Sequence, residues 1–163
     1  MSAPNQIVPG ETSSFESWRT LLKDAVKEVF SMMVGAEVTV LETEPAVQTA
    51  DVTGMVGLAG ALCGVMSVRC TRNSANKIAS QMLSVPISEA ASHQSDAIGE
   101  ICNMVAGNFK AKIDGMQDKC MLSVPTVITG EDYQLHSLAA GDRIEQAFVF
   151  DTETLWIALE IRN

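Results

Sequence analysis

Basic residues are scarce in this chain. Eleven Lys and Arg stand against 20 Asp and Glu, a formal net charge of −9, which argues against nucleic acid or an anionic membrane as partner, since both select basic surfaces. Paired cysteine motifs are missing as well. Cys63, Cys70, Cys102 and Cys120 lie far apart, without a CxxC or a nearby histidine pair, so they read as small, reduced core residues and indicate neither a metal site nor a disulfide framework. The two histidines, His93 and His136, fall in a polar helix approach and in a loop, with no partner for a catalytic pair. No Gly-rich phosphate loop stands at a strand-to-helix junction, and no nucleophile–base pair is apparent. No charged segment leading into an apolar one opens the sequence, so no secretory leader is expected and the chain reads as cytoplasmic. Its one long uncharged run, residues 52–68, carries four glycines and sits at the short limit of about 17 residues for a membrane span. It reads as two buried strands with a turn near Gly60–Ala61.

The 163 residues suit one domain. Residues 1–12, with two prolines and no periodicity, read as a flexible lead-in, and residues 13–163 as the domain. A helix is expected from a Ser13 or Ser14 cap, with Phe15, Trp18, Leu22, Ala25, Val26, Val29, Phe30 and Met33 at helical spacing and Gly35 ending it. A strand over Glu37–Thr43, stopped by Pro45, comes next. Arg72–Ser84 patterns as a helix capped by Asn73 or Ser74, with Ile78, Met82 and Leu83 inward and Pro86 beyond its end. Polar residues Ser88 to Gln94 lead into a second long helix, which stops at Asp114–Gly115. Strands over about 119–128, 143–150 and 154–161 close the chain. A tight turn at Asp151–Glu153 joins the last two, and a polar, mobile loop spans Thr129 to Asp142.

The second long helix carries the most informative pattern. At 100° per residue, Ile98, Ile101, Cys102, Val105, Phe109 and Ile113 share one side, while Asp96, Glu100, Asn103 and Gly107 share the other. Glu100 and Asn103, three apart, stand on adjacent turns of an exposed ridge, with Gly99, Gly107 and Ala111 keeping the surroundings low. Glycine inside a helix costs about 1 kcal/mol relative to alanine. Close approach by another molecule would justify that cost. On spacing alone the plainer reading is favoured, in which the polar groups are solvated and the glycines mark packing against a neighbouring backbone.

The first helix repeats the spacing. Asp24, Glu28, Ser31 and Gly35 match Asp96, Glu100, Asn103 and Gly107, each shifted by 72 positions, and LCGVMSVR (62–69) resembles LWIALEIR (155–162). The chain looks like a duplicated unit of one helix and three strands. The repeat breaks where Ser31 stands opposite Asn103. Serine is shorter by an amide group, so the first helix is expected to be structural, with Glu28 solvated or in a dimer contact.

The helical motif [DS]-x3-E-x2-N-x3-G, present as Asp96, Glu100, Asn103 and Gly107 and continued as GEICNMVAGNFK, resembles the signature of the CheC/CheX/FliY chemotaxis phosphatases, with CheX the nearest likeness. The glycine-rich strand pair followed by NKIASQML fits the same family. The resemblance implies an α/β (α+β) domain of two pseudo-repeated helix-plus-three-strand halves, with long helices packed on a mostly antiparallel sheet. It implies removal of phosphate from the aspartyl-phosphate of a CheY-like response regulator. On that reading Glu100 docks on the regulator's active-site lysine, Asn103 positions the attacking water, and Asp96, Gly99 and Gly107 support docking. No cofactor is expected in this chain, and Mg2+ would be held by the regulator. A homodimer is implied, with neither nucleic acid nor membrane as partner.

A neutral carboxamide suits the task, because it holds water as donor and acceptor without repelling an anionic phosphoryl group. The alternative is a non-catalytic module of the same fold that docks on a receiver domain, a flagellar-switch protein or another signalling protein.

Overall fold

The uncharged run folds as a hairpin, because nearly every residue on one of its faces is apolar and its glycines allow close backbone approach. The computed structural model describes residues 12–43, 50–131, 133 and 141–162, with side chains from residue 16. Residues 1–11 of the N-terminal lead-in, Pro45, His136 and most of the loop before Asp142 lie outside the described residues, and Thr12, expected in the lead-in, already belongs to the first helix. Strands β2 (Val52–Gly60) and β3 (Gly64–Cys70) pair antiparallel through a turn at 61–63. Ahead of them come helix α1 (Thr12–Val29) and strand β1 (Thr39–Leu41). After them come helices α2 (Arg72–Leu83), α3 (Ile87–Ala90) and α4 (Gln94–Ala111). Strands β4 (Cys120–Leu122), β5 (Thr126–Thr129), β6 (Arg143–Phe150) and β7 (Glu153–Ile161) complete the chain.

The sheet runs β1-β6-β7-β3-β2-β4, with β5 also on β2, and each pairing is antiparallel. This order carries the duplication. Each half contributes a hairpin, β2–β3 or β6–β7, and lends its first strand to the other half's hairpin. At the centre, Met66 on β3 faces Leu159 on β7, and these two residues occupy equivalent places in LCGVMSVR and LWIALEIR. A strand pair related by a pseudo-twofold axis must align in this way.

The long helices α1, α2 and α4 share one core with the sheet. Leu22 and Val26 of α1, Phe30 just past its end, Ile78 of α2, and Ile98, Ile101, Val105 and Phe109 of α4 are fully buried with Met66, Phe148, Phe150 and Ile157 of the strands. Trp18 meets Phe109 edge-on with ring centroids 6.3 Å apart, a favoured aromatic geometry.

Several expectations are corrected. Helix α1 passes into a π-helical turn over Phe30–Val34 before Gly35, at φ 70°, ends it. The cap of α2 is Thr71, whose side chain accepts from Ser74 N. Leu83, expected inward, is 49% exposed, and the polar approach to α4 is folded as α3 and a 3-10 turn over Ala91–His93. The expected strand over 119–128 is broken in two. Between the Leu58–Leu122 and Met55–Thr126 pairs, two residues of β2 oppose three residues, Ser123 to Pro125. Pro125 has no N–H for the ladder, and an extra residue at that point forms a bulge. The Ser123 hydroxyl accepts from Gly57 N at 2.8 Å, and Ser123 N donates to Gly57 O at 2.9 Å.

Candidate functional site

Helix α4 is fixed to the sheet by close backbone approach. A Cβ at Gly54 of β2 would lie 3.1 Å from Ile98 Cγ2 and 3.2 Å from Ile98 O, so the helix reaches this depth only where the strand is bare. The Cys102 thiol donates to Met66 O at 3.5 Å. At the far end, Lys110 Nζ donates to Gln117 O at 2.9 Å and Cys120 O at 2.7 Å. These side-chain donors engage carbonyls of the turn that leads into β4, which fixes the helix end relative to the sheet edge.

With its inner face held, α4 presents Asp96 and Glu100 exposed, and Asn103 and Gly107 half-buried. The structure brings these four together along one side, as the spacing requires. No hydrogen bond or ion pair engages Glu100 or Asn103 among the described residues, so both side chains are available to an incoming molecule. Gly99 departs from expectation. It is buried, and a Cβ there would meet Val127 Cγ2 at 3.3 Å and Pro125 Cβ at 3.5 Å. Packing of β5 against α4 accounts for that glycine, whereas at Gly107 the nearest atom to an added Cβ is Leu122 Cδ1 at an ordinary 3.9 Å. The low profile beside Asn103 is therefore not imposed by packing.

At the corresponding place on α1 the glutamate is already engaged. Lys112 Nζ donates to Glu28 Oε1 at 2.7 Å, and Asn108 Nδ2 donates to Glu28 Oε2 at 3.1 Å. These bonds hold the Glu28 carboxyl below its ordinary value of 4.5. Glu28 is thus exposed, as expected of a solvated residue, and is also engaged by two side chains of the same chain.

Sequence reasoning also missed a cavity of about 310 Å3 lined by Met82, Leu83, His93, Asp96, Ala97 and Glu100. Its signal was the pair Met82 and Leu83 at the end of α2, which the helical pattern had assigned to the core. Among the described residues no group of three or more His, Cys, Asp or Glu is placed to hold a metal ion, and no helix is long and apolar enough to cross a membrane.

The fold is that of the CheC-like proteins. Chemotaxis protein CheX from Vibrio vulnificus superposes with TM-score 0.73 at 23% identity, over 89% of this chain and 96% of that one. CheX from Desulfovibrio desulfuricans gives 0.77 at 23%, over 90% and 99%. The CheX of a CheX–CheY–BeF3–Mg2+ complex from Borrelia burgdorferi gives 0.71 at 21%, over 90% and 98%. Among curated proteins no sequence relative matches. The family model described as chemotaxis phosphatase CheX matches residues 52–149, and the chain belongs to that family.

Proposed function

We propose that this chain hydrolyses the aspartyl-phosphate of a CheY-like receiver domain, with Asn103 positioning the water and Glu100 docking on the receiver's active-site lysine. The observation that carries the proposal is the unengaged carboxylate–carboxamide pair on α4 in a chain of the CheX family. The Borrelia complex, which joins a CheX of this fold to CheY with BeF3 and Mg2+, supports the choice of partner and of metal.

Hydrolysis of an acyl phosphate needs an in-line water more than covalent help. The water oxygen bonds to phosphorus, the bond from phosphorus to the aspartyl oxygen breaks, and inorganic phosphate and a free carboxylate result. Asn103 accepts a proton bond from the water through its carbonyl or donates through its amide, and so fixes the angle of approach. Mg2+, held by the receiver, neutralises charge on the phosphoryl oxygens. Glu100 spends its charge on a lysine that closing of the interface removes from water, where the pair gains strength. Asp96 and Gly107 shape the docking ridge, and Gly99 acts through the packing of β5.

Residues 13–163 act on this reading as one cytoplasmic domain. The short edge strand β1, paired among the described residues with β6 alone, gives a motive for a homodimer. The test of function is decay of phosphorylated receivers from the same genome with Mg2+. Acceleration supports the phosphatase, whereas binding without acceleration leaves the docking module.

A further inference from the structure

Beside the ridge, the cavity between the end of α2 and the start of α4 has walls of two kinds. Met82, Leu83 and Ala97 give it an apolar lining, while Asp96 and Glu100, four apart on α4, and His93 give it polar groups. Residues at this spacing have Cβ atoms roughly 6 Å apart on one helix face. Leu83 is 49% exposed and nearby Ile87 is 47% exposed, so apolar surface continues from the cavity to solvent. Neither Asp96 nor Glu100 has an ion-pair partner among the described residues. An apolar wall with a carboxylate at its mouth matches a side chain with an aliphatic stem and a cationic head.

We propose that this cavity is a specificity subsite for a second cationic side chain of the receiver, a lysine or arginine, whose stem lies on Met82 and Leu83 and whose head meets Asp96. The proposal rests on the phosphatase reading, because Glu100 belongs both to the cavity wall and to the docking ridge. A receiver seated on the ridge therefore covers the cavity. Glu100 serves the active-site lysine and Asp96 the second base, one helical turn away. Receivers lacking a base at that distance from their active-site lysine bind more weakly.

The test uses the full chain and a receiver loaded with beryllium fluoride and Mg2+ for affinity, and the phosphorylated receiver for turnover. Leu83→Arg fills the cavity with like charge, and Asp96→Asn removes the anion at an exposed position that tolerates the change. Each is expected to raise Kd about tenfold, as for loss of one charge pair at an interface, and Leu83→Arg, which lies off the docking ridge, is expected to raise KM alike with kcat at saturation kept. In the wild type, affinity falls with salt more steeply than in Asp96→Asn. Wild-type affinity in both variants overturns the subsite while leaving the phosphatase standing. A wild-type chain that binds no receiver overturns both.

Discussion

Glu28 of α1 accepts a hydrogen bond from the Lys112 ammonium at 2.7 Å, and Lys112 lies just past the end of α4. In the duplicated unit Glu28 corresponds to Glu100. The glutamate that in one half is unengaged is in the other already joined to a lysine of the same chain. Ser31, the counterpart of Asn103, lies in the π-helical turn, where the altered register no longer repeats the geometry of α4.

Restoring the missing amide is therefore insufficient. Ser31→Asn in an Asn103→Ala background is expected to show no more receiver dephosphorylation than Asn103→Ala alone. Phosphate release from a phosphorylated receiver measures it. A recovered rate would contradict the idea that the engagement of Glu28 by Lys112 and Asn108 keeps the first helix from acting.

The same pair has a signature in acid. The bonds from Lys112 and Asn108 lower the Glu28 value, so the folded state binds its proton less tightly than the unfolded chain. The pair's stabilisation is present above the ordinary value of 4.5 and is lost as pH falls through the lowered folded value. Carboxyl NMR titration should show the Glu28 midpoint rising toward the ordinary value in Lys112→Met.

Glu153, just past the β6–β7 turn, ties that turn to the start of α2. It accepts from Asn73 Nδ2 at 2.6 Å, Ser74 Oγ at 3.3 Å and Thr71 Oγ1 at 3.4 Å, and lies 3.5 Å from Lys77 Nζ. Glu153→Ala removes these bonds; the exposed Asn73 turns to water and Lys77 keeps Asp151, while the fully buried Ser74 hydroxyl is left with Thr71 Oγ1 at 3.1 Å. Urea unfolding should show a loss of about 1–3 kcal/mol, the usual cost of unmade buried hydrogen bonds.

The cysteines divide by burial. Burial, with Asp51 and Glu153 nearby, pushes the Cys70 thiol up to about 12, and burial does the same to Cys102. Cys63 is exposed, while Cys120 is buried. Since the thiolate is the reactive form, native protein at neutral pH should show one fast thiol, abolished by Cys63→Ser, and the others only on unfolding.

Much of this was legible because it rests on periodicity. The α4 ridge follows from 3.6 residues per turn, and β6 was read to the residue, with the tight turn that begins at Asp151 closing it. The duplication was visible in spacing, and the exchange of first strands between halves gave it structural form. What escaped depends on contacts between segments distant in sequence. The break at Ser123–Pro125 depends on how β2 lies opposite. The role of Gly99 depends on Pro125 and Val127, and the fate of Glu28 on a lysine 84 positions away. Leu83 fitted the inward pattern of α2, yet the helix ends where α4 leaves a cavity, so the side chain is left partly in solvent.

The most direct test of the central claim is single-turnover decay of a phosphorylated CheY-like receiver with Mg2+, comparing wild type and Asn103→Ala, with binding to the beryllium-fluoride-loaded receiver measured in parallel. The wild type is expected to accelerate decay and Asn103→Ala to lose about a hundredfold or more of that acceleration, the cost of a misplaced reactant, while still binding. Equal acceleration by wild type and Asn103→Ala would contradict the claim.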